Sequence, residues 1–144
     1  MAIILRNNIK INPVDISEKQ VVGVRLPFGK RQVFVNEYTT KDHAKSKLTN
    51  LLLTVPGERL NLPFFGVGLK QFLFEQITEE TSENLKSTIN NQVSRYIPEI
   101  EVINIKIKDS NQILYLTINY RVLSNSENDS ITLSFTNTNF ENQL

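Results

Sequence analysis

Few residues in this chain are able to do chemistry, and most of those are carboxylates. There is no cysteine, so disulfides, thiolate nucleophiles and cysteine metal sites are excluded, and a reducing compartment is the simplest setting. The single histidine, His43, sits among lysines, and the residue one helical turn on is Lys47. It therefore lacks a second ligand at i+4 and reads as a solvated side chain, not a metal ligand. No serine lies in a G-x-S-x-G elbow. Gly66-Val67-Gly68 lacks the further glycine and the Lys-Ser/Thr pair of a phosphate loop, so it reads as backbone geometry. Arg25, Lys30 and Arg31 with Phe28 and Phe34 form a faint stacking-plus-cation pattern, but the net charge is +1 and a solvated hairpin tip explains it. What remains is a glycosidase pair drawn from Glu58, Glu75, Glu79, Glu80 and Glu83. Carboxylates are common and the sequence sets no distance between them. Glu58 stands beside Arg59, where an ion pair or a backbone cap is the plainer role. We expect no catalytic residue, no metal and no cofactor.

The elements that would position these side chains centre on Leu51–Glu75, the densest apolar stretch, with three of the five glycines and two of the five prolines. Pro56-Gly57 is a turn signal, because proline presets a negative φ and glycine accepts a positive one. We expect Leu60, Leu62 and Pro63 to follow in an extended path. Gly66 and Gly68 bracket the start of a short helix whose apolar face is Leu69, Phe72, Leu73 and Phe74. On this reading Glu58–Arg59 is an ionic latch that holds the elbow or grips a neighbour.

Around the elbow, residues 1–20 lack a sustained period and read as an extended arm without a leader's apolar core. Val21–Phe28 and Gln32–Tyr38 read as short strands of a hairpin around Gly29-Lys30-Arg31. The spacing predicts a helix over Thr39–Thr54, with a Thr cap and an apolar stripe Ala44, Leu48, Leu51, Leu52, Val55; Lys41, Lys45 and Lys47 lie off that stripe. A second long helix spans Thr78–Tyr96, with Glu79 and Glu80 in its first turn and Leu85, Ile89 and Val93 on one face; Ile97 extends the row and Pro98 ends it. Three strands follow. The first is Val102–Lys108, with Ile103, Ile105 and Ile107 inward. A turn at Asp109-Ser110-Asn111 leads to Gln112–Val122, with Leu114, Leu116, Ile118, Tyr120 and Val122 inward. A polar loop over Leu123–Ser130 then leads to a strand carrying Ile131, Leu133 and Phe135. The expected fold is α+β: a short N-terminal hairpin, two to three helices, and a C-terminal three-stranded antiparallel sheet packed on the helices. Residues 21–137 form one domain, and 138–144 a polar tail.

Composition agrees with a single globular unit. Hydrophobic residues are 40% and charged residues 22%, and no apolar run has the roughly 18 residues a membrane span needs. Charge is unevenly spread. Residues 1–50 carry nine Lys/Arg against four Asp/Glu, and residues 75–101 carry six Glu against two basic residues. Such asymmetry can orient a protein in an assembly.

Several fixed spacings coincide: Gly23-Val24-Arg25-Leu26-Pro27-Phe28; Leu51-Leu52-Leu53-Thr54; Pro56-Gly57-Glu58-Arg59; then Pro63, Phe65-Gly66, Leu69 and Leu73-Phe74-Glu75. Over roughly residues 21–136 this series resembles the baseplate wedge, sheath-initiator family of contractile tails, which includes a baseplate subunit of type VI secretion. The resemblance implies a structural virion protein, present in several copies in a tail baseplate assembled in the host cytoplasm. The implied partners are the tail sheath protein and the baseplate wedge core proteins, with central hub or tube proteins as further neighbours; neither nucleic acid nor membrane is among them. It also implies that an edge strand, either Ile131–Thr136 or Val102–Lys108, accepts a strand from the first sheath ring. The motif positions carried over are Pro56, Gly57, Glu58, Arg59, Pro63, Phe65, Gly66 and Pro98, with Ile131, Leu133 and Phe135 on the candidate edge. The chain departs from the family at Phe64, where an acid is usual, and at Ile97-Pro98-Glu99, where a docking Glu-Pro-Arg is common. Some members have been labelled lysozyme-like, which keeps the glycosidase as the alternative.

Overall fold

The structure, a computed structural model, describes residues 20–25, 35–72, 78–110, 113–124 and 126–136. Its elements are β1 (Gly23–Val24), β2 (Asn36–Glu37), α1 (Thr40–Leu53), α2 (Leu69–Phe72), α3 (Glu79–Tyr96), β3 (Ile100–Ser110), β4 (Ile113–Val122) and β5 (Glu127–Thr136). The mixed α+β architecture expected from the sequence is the one observed. The arm at 1–19, the hairpin residues 26–34, the positions Leu73, Phe74, Glu75 and Asn111, and the tail from 137 lie outside the described residues.

Both long helices start on a threonine. Thr39 and Thr78 have extended backbone, and their hydroxyls accept from Asp42 N and Thr81 N, groups that the first turn leaves without a helical partner. Asp42, Glu79 and Glu80 add negative charge where the dipole is positive. The α1 stripe buries Ala44, Leu48, Leu51 and Leu52, and the α3 stripe buries Leu85, Ile89 and Val93, with Ile97 just beyond. Two buried polar residues of α1 lie off the sequence pattern. Thr49 donates to Lys45 O, and Ser46 donates to Glu37.

The sheet runs β3-β4-β5, antiparallel throughout. In the central strand, Leu114, Leu116, Ile118, Tyr120 and Val122 all turn to the core, as the alternation requires. Ile131, Leu133 and Phe135 complete the inner face from β5. α3 packs against β3, and the helices and the sheet share one hydrophobic core.

Several expectations need correction. Ile103 does not face the core: the register slips between Val102 and Asn104, so Ile103 is an extra residue and is 51% exposed. This β-bulge puts Val102 and Ile105 on the same inner side although they are three residues apart. The expected turn at Asp109-Ser110 is still ladder, pairing with Leu114 and Ile113. The polar segment Leu123–Ser130 is loop only at its start, because Glu127–Ser130 pair with Val122–Asn119. Residues 127–130 lack apolar alternation, but the β4 ladder and the bonds Tyr120–Asp129 and Arg121–Asn128 hold them in the sheet. The N-terminal hairpin is present, but its described ladder is two residues on each side. After Glu58 the chain is not extended. Bonds from Leu62 N to Arg59 O and from Phe65 N to Leu62 O make consecutive turns.

Candidate functional site

The elbow between α1 and α2 is held almost entirely through its backbone. Glu58 N donates to Val55 O at 3.1 Å, and Val55 N donates back to Glu58 Oε2 at 3.1 Å, a reciprocal closure of the Pro56-Gly57 turn. Gly57 has φ +95°, which a side chain rarely tolerates. Gly57 N donates to Pro63 O at 2.8 Å and closes the loop. The chain then runs back along the end of α1. Val67 N donates to Leu51 O and Gly68 N to Thr54 O, which satisfies carbonyls at the helix end. Gly66 makes that approach possible: its φ is +116°, and a Cβ would lie 2.3 Å from Thr54 O.

From the other side, Gln92 of α3 grips the same segment. Its Oε1 accepts from Gly66 N at 3.3 Å, and its Nε2 donates to Phe64 O at 3.1 Å. Sequence reasoning passed over Gln92. Its only signal was a polar amide three residues after Ile89, on the flank of the apolar stripe. Phe65 is buried beneath the elbow, edge-on to Tyr96 at 5.1 Å, and the Arg59 guanidinium lies 4.0 Å over its ring. Arg95 in turn stacks on Tyr96 at 5.4 Å.

The Glu58–Arg59 latch is therefore not an ion pair. Glu58 caps its own turn, and Arg59 makes a cation–π contact. The motif residues Pro56, Gly57, Glu58, Arg59, Pro63, Phe65 and Gly66 do come together in one rigid corner. Pro98 lies elsewhere, between α3 and β3. There Ile100 N donates to Ile97 O, Leu123 N donates to Glu99 O, and Lys47 bridges to Glu99 at 2.5 Å. Pro98 lines an open cleft of about 470 Å³ with Asn90, Ser94, Ile100, Glu101 and Val102.

The third group of expected residues is core. Ile131, Leu133 and Phe135 are 2%, 3% and 0% exposed, so their side chains are not a contact surface. Whatever β5 offers a partner is its backbone edge, since β4 occupies the other side. β3 is the opposite edge, but it carries the Ile103 bulge together with Lys106 and Lys108.

His43 is not a solvated side chain. Its Nδ1 lies 3.3 Å from Glu37 Oε2, and its ring fills the space a Cβ on Gly23 would need. Glu37 is buried and also accepts from Ser46. The Ser46 hydroxyl donates to the carboxylate, an arrangement that differs from a Ser–His–acid relay. The cluster instead ties the β1–β2 hairpin to α1. Among the described residues no group of three His, Cys, Asp or Glu side chains is placed to hold a metal ion, and no helix is long and apolar enough to cross a membrane.

The family described as baseplate wedge protein gp25 matches residues 39–127, which span α1, the elbow, α3, β3 and β4. No curated protein matches the chain in sequence. Among solved structures, a Geobacter sulfurreducens protein proposed by its describers as a tail lysozyme is similar at TM-score 0.60 and 20% identity, over 74% of this chain and 96% of that one. A chain of the anti-feeding prophage baseplate is similar at TM-score 0.50 and 20% identity, over 85% of this chain and 86% of that one. At these identities the likenesses speak to the fold.

Proposed function

The chain belongs to the baseplate wedge protein gp25 family, a structural family of contractile-tail baseplates, and from that premise we propose that it joins the baseplate to the first sheath ring by accepting a sheath strand on β5. The observation that carries this reading is the contrast between the two sheet edges. β5 pairs with β4 over ten residues without a slip, and among the described strands none lies on its outer side. β3 has the bulge and the lysines that usually keep an edge from pairing. On this reading the working unit is residues 21–137, the arm at 1–20 meets neighbouring subunits, and assembly takes place in the host cytoplasm before sheath growth.

The same reading assigns no enzymatic role. Glu58, the best placed carboxylate of the elbow, is committed to Val55 N, and the Ser46–Glu37–His43 contact has the wrong order for a nucleophile. A turbidity assay on cell walls should show no lysis; robust lysis lost on Glu58→Gln would replace this reading with the glycosidase.

The test of strand acceptance puts charge on the edge without touching the core. Ser130 and Thr132 are exposed positions of β5. Ser130→Lys with Thr132→Lys should fold and enter baseplates normally, while the yield of sheathed particles falls about tenfold or more. Full sheath yield from that variant would sink the proposal.

A further inference from the structure

The elbow carries a feature that its fold does not need. Leu60 is 98% exposed, Phe64 69% and Leu62 44%, so three large apolar side chains stand together on one loop tip. Isolated apolar residues on a surface are ordinary, but a cluster on a protruding loop marks a contact. The loop that presents them is fixed at both ends and across its middle. Gly57 N bonds Pro63 O, Leu62 N bonds Arg59 O, Phe65 N bonds Leu62 O, and Gln92 holds Phe64 O. Binding through such a tip costs little loop ordering, because the loop is ordered beforehand.

We propose that Leu60, Leu62 and Phe64 form an anchor that inserts into an apolar socket, rimmed by a carboxylate, on another protein of the baseplate. The carboxylate follows from charge. From Arg59 to Phe65 the chain has one charged residue, Arg59, and among the described residues no carboxylate pairs with it. Phe65 holds the guanidinium beside the apolar tip, where an acidic rim would meet it.

Two other occupants fit less well. A membrane surface would call for several cations beside the apolar tip to hold anionic headgroups, and here there is one. A second copy of this chain offers no matching socket among its described clefts. The apolar one, lined by Phe72, Leu85, Ile107 and Leu114 among others, has a volume of about 10 Å³, too small for a leucine. The cleft beside Pro98 is rimmed by polar groups, and its carboxylate, Glu101, already faces Arg121 at 3.4 Å.

This inference rests on the baseplate role and not on strand acceptance. The test therefore reads baseplates whether or not sheath is present. The photoreactive residue p-benzoylphenylalanine is placed at position 60, and separately at 64, in the full chain within assembled baseplates, which are then irradiated. The expected result is an adduct with one other baseplate protein, at an apolar residue next to an Asp or Glu. Arg59→Glu should cut the adduct yield about tenfold, and reversing that carboxylate to Lys should restore it. Leu60→Ser with Phe64→Ser should lower incorporation into baseplates without changing the melting temperature of the free chain. No adduct, an adduct with a second copy or with lipid, or an Arg59→Glu variant that cross-links as well as the parent would each overturn the proposal.

Discussion

Gln92 shows how a single side chain holds two parts of the molecule in register. It bonds a backbone donor and a backbone acceptor of the elbow from a helix 26 and 28 residues further along the chain. Gln92→Ala removes both bonds and should cost about 1–3 kcal/mol, seen as a lower denaturant midpoint with an unchanged slope. Gly66→Ala should cost more, because the added Cβ meets Thr54 O in a positive-φ conformation. Failure of that variant to destabilise would mean the elbow can move away from α1. Tyr120 offers a test by pH. Burial, and then the nearby Asp129 carboxylate, push its phenol well above the usual tyrosine range. The unfolded chain therefore loses this proton first, at a pH near 10. Stability from Tyr120 is complete below about pH 10 and is lost as pH rises above it. Tyr120→Phe gives up the Asp129 bond, about 1 kcal/mol at neutral pH, but its stability should fall less steeply between roughly pH 10 and 11 in chemical denaturation.

At the scale of elements, the sequence was legible wherever burial imposes a period. α1, α3 and β4 keep their apolar residues at helix or strand spacing, and the threonine caps and Pro98 mark where the helices begin and end. It was illegible where long-range pairing overrides local pattern. Nothing local announces that Ile103 leaves the ladder, since Ile103, Ile105 and Ile107 alternate as a regular strand would. Glu127–Ser130 look like loop until β4 is there to pair with them. The site was legible in part. The glycines and prolines of the elbow were found from turn chemistry, but adjacency suggested a Glu58–Arg59 pair, whereas both side chains reach for other groups. The bulge itself can be tested. Deleting Ile103 should give a regular β3 with its core residues retained. The melting temperature should change by only a few degrees, while concentration-dependent self-association appears by light scattering as the β3 edge becomes competent to pair. A deletion variant that stays monomeric at high concentration would remove the argument that the bulge blunts that edge.

For the whole molecule, the two proposals divide the parts into a support and two presenting ends. The core shared by α1, α3 and the sheet holds β5 at one margin and the elbow at another. The Glu37–His43–Ser46 cluster ties the hairpin to that support. Glu37→Ala removes the acceptor that His43 and Ser46 share and cuts the tie between hairpin and α1, and should destabilise the chain by about 1–3 kcal/mol, measured by thermal unfolding. An edge that accepts a strand is best held from within. The pairing of β5 with β4, and the burial of Ile131, Leu133 and Phe135, hold β5 in that way. The proposed function comes down to one geometric claim, that a foreign strand lies beside β5. An image of the assembled tail at a resolution that traces main chain tests it most directly. The account predicts a sheath-protein strand about 4.8 Å from β5, bonded along residues 127–133, with β3 unpaired on its outer side. A β5 edge left in solvent, or a partner strand on β3 instead, would contradict it.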